Sequence, residues 1–462
     1  MSVLAETIQI ARSAPDLGVC GRVESVTGMT VQAAGLPVPV GSVCLIGGDA
    51  RTARDGATGG FQTRVGGVPA EVIGFRGGLT MLMALKGGEG LAQGQRVRFV
   101  TSSRRVAMGP GLLGRVIDGM GRPCDGGPDI AADVYYDLDR PPPDPLKRTR
   151  IQTPLSVGIR SINALLTPGG GGRLGIFAGT GVGKSVLLGM MARYTSADVS
   201  VVALVGERGR EVGDFLAKEL GPQGLKRSVV VCSTSDQSPL LRVRACFVAT
   251  AVAEYFRDRG ANVLLLMDSA TRMAMAQRQI GLAAGEPPAT KGYPPSVFAL
   301  LPKLMERSGR TADGSITGLY TVLVEGDDLN DPIGDAVRGI LDGHIWLSRR
   351  VAGRGQYPAV SVLDSISRLM PDVTDAAHLE AAALVRRLLS IWTEIEDLVN
   401  IGAYAAGTNP EFDLVIRTRP MIEAFLRQKM DEQADFAASR AALMTLAGDI
   451  EREKTKISGG KK

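Results

Sequence analysis

One segment of the chain joins an apolar run, a glycine-rich turn and a helical stretch, and it constrains the fold more than any other feature. The apolar run at 174–177 leads into a turn rich in glycine, and the stretch at 186–194 then has apolar residues on one helical face. The turn reads Ala178, Gly179, Thr180, Gly181, Val182, Gly183, Lys184 and Ser185. In this context the pattern predicts a phosphate-binding loop, although Ala178 replaces the glycine of the strict motif.

The predicted loop combines backbone donors with a cation and a metal ligand. Glycines let backbone N–H groups converge on phosphate oxygens, and the helix N-terminus adds a favourable dipole. We expect Lys184 to reach the β- and γ-phosphates of ATP and the Ser185 hydroxyl to bind Mg²⁺. The predicted nucleotide contacts in the loop are Gly179, Thr180, Gly181, Val182, Gly183, Lys184 and Ser185. A glycine-rich turn without a ligand is the alternative, and the strand and helix around it argue against that.

Two acidic residues follow other apolar runs. Asp268 ends the run VLLLMD, where a carboxylate can bind Mg²⁺, although many such residues only cap a helix. Glu207 follows VSVVALV, where a carboxylate can orient an attacking water molecule. A solvated cluster of Glu and Arg is the alternative for Glu207 and its neighbours.

Continuous apolar runs over 151–375 predict the fold class. Runs begin at 174, 199, 229, 263 and 319 and alternate with helical stretches. Strands that are apolar on both faces are typical of a mostly parallel sheet covered by helices, so this region is α/β.

The rest of the chain divides into three further parts. Short β-rich pieces separated by turn residues predict a small β-barrel over 18–95, and a connector rich in Gly and Pro follows at 96–150. The connector belongs to the central unit, 96–375, and the charged, helix-periodic region 376–462 predicts a C-terminal helical domain. Residues 1–17 precede the barrel.

Composition excludes several classes of function. The 53 Lys+Arg and 48 Asp+Glu residues leave a net charge of +5, which is too small for binding nucleic acid by bulk charge. Two histidines and five cysteines without a C-x-x-C pattern disfavour a zinc site, a histidine-based triad and a disulfide framework. The N-terminus lacks the pattern of a secretion signal, and no apolar run approaches ~18 residues. We therefore predict a cytoplasmic protein that reaches membranes only through partners.

Seven segments together resemble the F-type and V-type rotary ATPases and their type III export relatives. They are AGTGVGKS, GERGREVG, VLLLMDSATR, EPPATKGYPPSVFALLPKLMERSG, TVLVEGDD, VRGILDGHIWLSR and YPAVSVLDSISR. The segments GEPPATKGYPPSVF and DPIGDAVRGILDGHI are most similar to the flagellum-specific export branch, and no acidic segment like that of ATP synthase β subunits is present. The resemblance implies a RecA-like P-loop core and ATP hydrolysis that energises docking, unfolding or release of export substrates.

The resemblance also implies roles for individual residues. Glu207 corresponds to the catalytic base of the family, with Arg208 as its supporting neighbour, and Arg368 to an arginine finger that enters a neighbouring subunit's site. Tyr357 corresponds to a tyrosine that stacks on adenine, with an ordinary half-buried tyrosine as the alternative. Ser361 departs from the acidic or amide residue usual in the family at that position.

A shared site implies a ring of identical chains, and the resemblance implies a homohexamer. It also implies regulatory and stalk-like export subunits, chaperone–substrate complexes and an export gate as partners. Residues 1–17 are the expected partner-binding segment, with a frayed terminus as the alternative. Phe412 is a candidate second wall for adenine, and core packing is its alternative.

Three other functions stay open at this point. A virulence-type secretion ATPase would be built from the same parts. A ring RNA helicase would share the loop and the small β-rich domain, but Phe61 and Phe75 are the only aromatic residues in 18–95 that could stack on bases. A nucleotide-binding subunit without turnover is disfavoured by the presence of both Glu207 and Lys184.

Overall fold

A computed structural model describes residues 18–48, 67–102, 104–324 and 331–459. The predicted partner-binding segment at 1–17 and the aromatic residue Phe61 lie outside these ranges. The described chain has a barrel, a large sheet covered by helices on both faces, and a C-terminal group of helices.

The first six strands close into a barrel in the order β1-β2-β5-β4-β3-β6. Their bounds are β1 Cys20–Thr27, β2 Thr30–Ala34, β3 Val43–Gly47, β4 Gly67–Arg76, β5 Leu79–Ala84 and β6 Arg96–Thr101. Val31 and Leu82 are among the fully buried residues inside it. The closing strand β6 pairs with β1 and β3, so the barrel extends past the limit of residue 95 expected from the turn spacing.

After β6, the connector supplies strands to two further sheets. β7 and β9 form a two-stranded sheet, whereas β8 joins the edge of the large sheet beside β12. Their bounds are β7 Arg105–Met108, β8 Val116–Asp118 and β9 Val134–Asp137. Through β8, the connector contributes a strand to the sheet of the central unit.

The large sheet has nine strands in the order β17-β16-β10-β15-β13-β11-β12-β8, with β14 paired to β15. The remaining bounds are β10 Arg173–Ala178, β11 Val199–Val205, β12 Ser228–Ser233, β13 Asn262–Asp268, β14 Gly309–Arg310, β15 Ser315–Leu323, β16 Gly343–Leu347 and β17 Val360–Ser367. All pairs are parallel except those of β14 and β17. Alternate residues of β11 enter two separate apolar clusters, one on each face of the sheet, which explains its continuous apolar run.

Helices cover both faces of this sheet and then continue as the C-terminal group. The α-helices are α1 Arg160–Leu165, α2 Lys184–Tyr194, α3 Gly209–Asp214, α4 Gly221–Lys226, α5 Pro239–Arg257, α6 Ala270–Ala284, α7 Pro295–Met305, α8 Pro332–Ile340, α9 Arg349–Gly353, α10 Met370–Val373, α11 Ala376–Asn400, α12 Pro410–Leu426 and α13 Phe436–Gly459. A π-helical turn spans Phe215–Leu220, and 3-10 turns span Pro110–Leu112, Pro145–Lys147 and Thr290–Gly292.

The C-terminal group begins where a side chain caps its first long helix. The Asp375 carboxylate accepts from the backbone N–H of His378, which satisfies a donor at the start of α11. Helices α11, α12 and α13 pack together and contribute to the apolar cluster that also contains α2. The predicted fold class, a mostly parallel P-loop core between a barrel and C-terminal helices, is confirmed. Within the described ranges no helix is both long enough and apolar enough to span a bilayer.

Candidate nucleotide-binding site

The glycine-rich segment connects the carboxyl end of β10 to α2. Gly181 and Gly183 have φ angles of 81° and 85°, a left-handed conformation that glycine adopts without steric cost. Gly183 precedes the first residue of α2, Lys184. Because the first N–H groups of a helix have no acceptor within it, this turn presents donors to an anion.

Lys184 lies between two carboxylates at this edge of the sheet. Its Nζ forms an ion pair with Asp268 Oδ1 and lies 3.7 Å from Glu207 Oε1. Asp268 ends β13 and Glu207 lies just beyond β11, and these two parallel strands are neighbours. The structure thus brings together three side chains that sequence analysis selected from separate segments.

Hydroxyl groups lie beside this cluster. The Thr321 hydroxyl on β15 donates to Asp268 Oδ1 over 2.7 Å, and the Asp268 side chain is buried. Ser185 is exposed in the first turn of α2. A carboxylate and a hydroxyl are the hard oxygen ligands that Mg²⁺ prefers, so the residues present fit this ion.

The environment of Glu207 changes its acidity. Burial is the main cause that raises the pKa of Glu207 to about 7, and a hydrogen bond with Glu211 and the charge of Asp268 act in the same direction. Lys184 and Arg272 act in the opposite direction. A carboxylate with a pKa near neutrality can accept a proton from water efficiently.

Arg272 is a contact that sequence analysis missed. Its Nε lies 3.3 Å from Glu207 Oε1, whereas the Arg208 side chain is 79% exposed and lies 3.5 Å from Glu211. The structure therefore does not bring Arg208 into the cluster. Arg272 follows Asp268 by four residues, in the first turn of α6, which the Ser269 side chain caps. This closeness in the chain to Asp268 was the signal that could have indicated Arg272.

A largely apolar cavity of about 760 Å³ opens beside the phosphate loop. Its lining residues are Val182, Gly183, Val186, Leu187, Met190, Leu347, Tyr357, Pro358, Ala359, Gln428, Lys429, Met430 and Asp431. A Cβ atom placed on Gly183 would lie 3.5 Å from the Tyr357 ring. A flat ring beside the loop provides a surface on which a nucleobase can stack.

Phe412 lies elsewhere in the C-terminal group. Its ring centroid is 5.8 Å from that of Tyr404, and it packs against the cluster of the C-terminal helices. It does not line the cavity beside Tyr357 in the described structure. Its position agrees with the core-packing alternative.

Arg368 lies at the opposite edge of the same sheet. Its backbone N–H donates to the carbonyl of Asp342 over 2.9 Å, and Asp342 contacts Arg173, the first residue of β10. The phosphate loop follows the other end of β10, which is roughly 17 Å away at about 3.3 Å per residue. The exposed Arg368 side chain is therefore remote from the loop of its own chain.

A mostly parallel sheet with a glycine-rich loop, a lysine and two acidic residues at the carboxyl edge defines a P-loop nucleotide-binding protein. Comparisons with known proteins place the chain more closely. The family model described as "ATP synthase alpha/beta family, nucleotide-binding domain" matches residues 158–367, and that of the "T3SS EscN ATPase C-terminal domain" matches residues 374–445.

Several relatives align with nearly the whole chain. The flagellum-specific ATP synthase of Pseudomonas aeruginosa is 53% identical over 92% of each chain. The flagellum-specific ATP synthase of Bacillus subtilis is 50% identical over 93% of this chain and 96% of its own length. The type 3 secretion system ATPase of Xanthomonas euvesicatoria is 47% identical over 93% of this chain and 94% of its own length. The chain belongs to the family of flagellum-specific and type III secretion ATPases, which confirms the predicted family and the predicted ATPase activity.

A solved structure shows the same architecture. The assembled ATPase EscN of the enteropathogenic E. coli type III secretion system is 42% identical and superposes with a TM-score of 0.85. The alignment covers 92% of this chain and 100% of EscN. The same ATPase in complex with its central stalk EscO is 40% identical, with a TM-score of 0.82 over 92% of this chain and 100% of that one.

Proposed function

We propose that this ATPase hydrolyses Mg²⁺-ATP to energise protein export through the type III apparatus of a flagellum. The observation that supports the proposal most strongly is the placement of Lys184, Glu207 and Asp268 within one cluster at the mouth of the phosphate loop. The flagellar assignment follows the relatives that are 53% and 50% identical. The work done on clients would be docking, unfolding or release.

In this proposal Glu207 orients the attacking water molecule and accepts its proton. The deprotonated carboxylate is the active form, and its raised pKa places the protonation change near neutral pH. Lys184 and the loop N–H groups bind the charged oxygens of the triphosphate. Arg208 is too exposed to contact this water directly from its present position, so its supporting role stays a prediction.

Ser185 and Asp268 are the proposed Mg²⁺ ligands. The ion would neutralise charge on the phosphate oxygens when bound. The Thr321 hydroxyl orients the Asp268 carboxylate, and Tyr357 supplies the surface on which adenine stacks. Gly179, Thr180 and Val182 belong to the turn that encloses the phosphates.

The assembly we propose is a homohexamer. Arg368 of one subunit would complete the site of the next, because its guanidinium spreads positive charge over the oxygens of the transferring phosphoryl group. EscN provides an assembled relative and a relative bound to a stalk protein. Regulatory and stalk-like subunits, chaperone–substrate complexes and an export gate are the proposed partners, and they would hold a cytoplasmic enzyme at the inner face of the membrane.

A virulence-type secretion ATPase is the second candidate. The relative from Xanthomonas euvesicatoria that is 47% identical and the EscN structures favour it specifically. These relatives favour protein export over the RNA-helicase alternative.

The proposal is tested with Glu207→Gln. We expect this variant to bind nucleotide normally and to lose turnover by about 10²–10⁴-fold, because an amide cannot accept the proton. Glu24→Gln makes the same chemical change at an exposed position of β1 and should hydrolyse ATP like the parent protein. An undiminished rate in Glu207→Gln would assign the base to another residue.

A genetic experiment separates the two export systems. In the source bacterium with the gene deleted, the parent protein should restore motility and secretion of flagellar subunits, and Glu207→Gln should not. Normal motility in the deletion strain, together with loss of virulence-type secretion, would contradict the flagellar assignment and support the second candidate.

A further inference from the structure

Two thiols from distant parts of the chain meet at one edge of the large sheet. Cys124 follows β8 and is exposed, Cys232 lies in β12 and is half-buried, and their Sγ atoms are 3.6 Å apart. The pairing of β8 with β12 explains this proximity, since Asp118 is in register with Cys232. Both cysteines are free thiols.

The two thiols differ in acidity. A hydrogen bond from Cys232 lowers the pKa of Cys124, although burial and the nearby carboxylates of Asp118 and Asp125 act in the opposite direction. The same hydrogen bond, together with burial, raises the pKa of Cys232. An exposed sulfur that ionises more readily, with a second thiol beside it, is the arrangement of an oxidation-sensitive cysteine and its resolving partner.

We propose that Cys124 and Cys232 form a site of reversible oxidation by peroxides, and that the resulting disulfide slows ATP hydrolysis. The Cys124 thiolate attacks one oxygen of hydrogen peroxide, so that an S–O bond forms, the O–O bond breaks and the leaving hydroxide takes a proton to become water. Cys232 then attacks the Cys124 sulfur, so that an S–S bond forms and a second water leaves with the Cys232 proton. The thiol pair loses two electrons, and they reduce the peroxide to two water molecules.

Disulfide formation requires local movement. The two sulfur atoms must approach from 3.6 Å to a bond length of about 2.05 Å. The connector strand β8 has three residues and lies at the edge of the sheet. Because β8 is short and pairs with β12 at the end of the strand order, this edge can shift to accommodate the bond.

The movement is relayed to Glu207 through the backbone next to Cys232. The carbonyl of Ser233 accepts from the Gly206 N–H over 2.6 Å, and the N–H of Ser235 donates to the carbonyl of Glu207 over 3.0 Å. A displacement of this segment therefore moves the residues on which Glu207 depends for its position. Misplacing a reacting group by about 1 Å costs on the order of 10²-fold in rate, so we expect turnover to fall by about tenfold or more.

This effect on turnover rests on the proposed role of Glu207, whereas the disulfide itself does not. The test uses the full chain treated with hydrogen peroxide, followed by alkylation of the remaining thiols and peptide mass spectrometry without reduction. We expect a linked peptide containing Cys124 and Cys232, a lower kcat with little change in KM, and recovery of both after dithiothreitol.

Single substitutions identify the site. Cys124→Ser and Cys232→Ser should hydrolyse ATP normally and keep their activity in peroxide, whereas Cys20→Ser, a thiol of the barrel, should respond like the parent protein. Absence of the linked peptide, a linked peptide with unchanged kcat, or an equal loss of activity in Cys124→Ser would each overturn the proposal. Full activity of Glu207→Gln would instead contradict the assignment of the base, and the peptide mass would still report the thiol site.

Discussion

The two ends of the strands in the large sheet, called here its carboxyl edge and its amino edge, differ in the charged side chains that one chain brings together. At the carboxyl edge, Lys184 lies within ion-pair distance of both Glu207 and Asp268, although the three residues come from three segments. At the amino edge, Arg368 is exposed beyond β17 and has its backbone bonded to Asp342. In the proposed function the carboxyl edge is one half of a nucleotide site, and the amino edge presents the exposed cation of Arg368 to a neighbouring subunit.

The difference follows from strand direction. Parallel strands bring all their carboxyl ends to one edge, where loops converge on a ligand. β17 runs antiparallel to β16, so that Val360 pairs with Leu347 and Ser367 with Gly343. Tyr357, before this strand, therefore lies near the phosphate loop, and Arg368, after it, lies at the far edge. One antiparallel strand thus separates Tyr357, the proposed adenine-stacking residue, from Arg368, the proposed arginine finger.

The largest expected effect comes from removing the cation of the carboxyl edge. Lys184→Ala should abolish detectable turnover, a loss of at least about 10³-fold, because the phosphate charge loses its main side-chain partner. Lys218→Ala removes an exposed lysine that pairs with Asp214 and should be neutral. A coupled ATPase assay measures both, and parent-like hydrolysis in Lys184→Ala would remove the loop from the mechanism.

The next effect concerns the protonation of Glu207. Since the deprotonated carboxylate is the active form, kcat/KM should fall about tenfold per pH unit below the pKa of about 7 and level off above it. The residual rate of Glu207→Gln should lack this acidic limb. A pH profile of the parent protein that is flat from about pH 5.5 to 8 would contradict the role of Glu207 as base.

A smaller effect is expected at the start of β17. Tyr357→Ala should raise KM for ATP by about fivefold to tenfold with a smaller change in kcat, because stacking contributes about 1 kcal/mol. Tyr357→Phe keeps the ring and should behave like the parent protein. Equal KM values for the parent protein and both variants would show that adenine does not stack on Tyr357 in this cavity.

Sequence analysis selected those parts of the candidate site that are local in the chain. The phosphate loop and Asp268 could be predicted because the strand, turn and helix are contiguous and the carboxylate ends a recognisable strand. Arg272 was missed because its contact with Glu207 depends on β11 lying next to β13. Local sequence patterns predict strands but do not predict their order in a sheet. The exposure of Arg208 depends on the orientation of α3, which its position beside Glu207 does not determine.

The same limit applies to the connector. Glycine and proline residues predicted a connector over 96–150 between the barrel and the sheet, yet β8 joins the large sheet there and β6 closes the barrel. A strand of three residues has too little periodicity to be recognised, and its partner β12 lies more than a hundred residues further along the chain. The contact between Cys124 and Cys232 is a consequence of that pairing, and the spacing of the cysteines in the sequence did not predict it.

The most direct test of a site completed by two copies is a mixing experiment with Lys184→Ala and Arg368→Ala. Each variant alone should be nearly inactive, with Arg368→Ala reduced by about 10³-fold or more. In a random equal mixture, about one quarter of the interfaces join an intact loop to an intact Arg368, so activity should return to as much as one quarter of the parent rate. Co-purification of differently tagged variants confirms mixed assemblies, and mixed assemblies without recovered activity, or a fully active Arg368→Ala, would contradict the account.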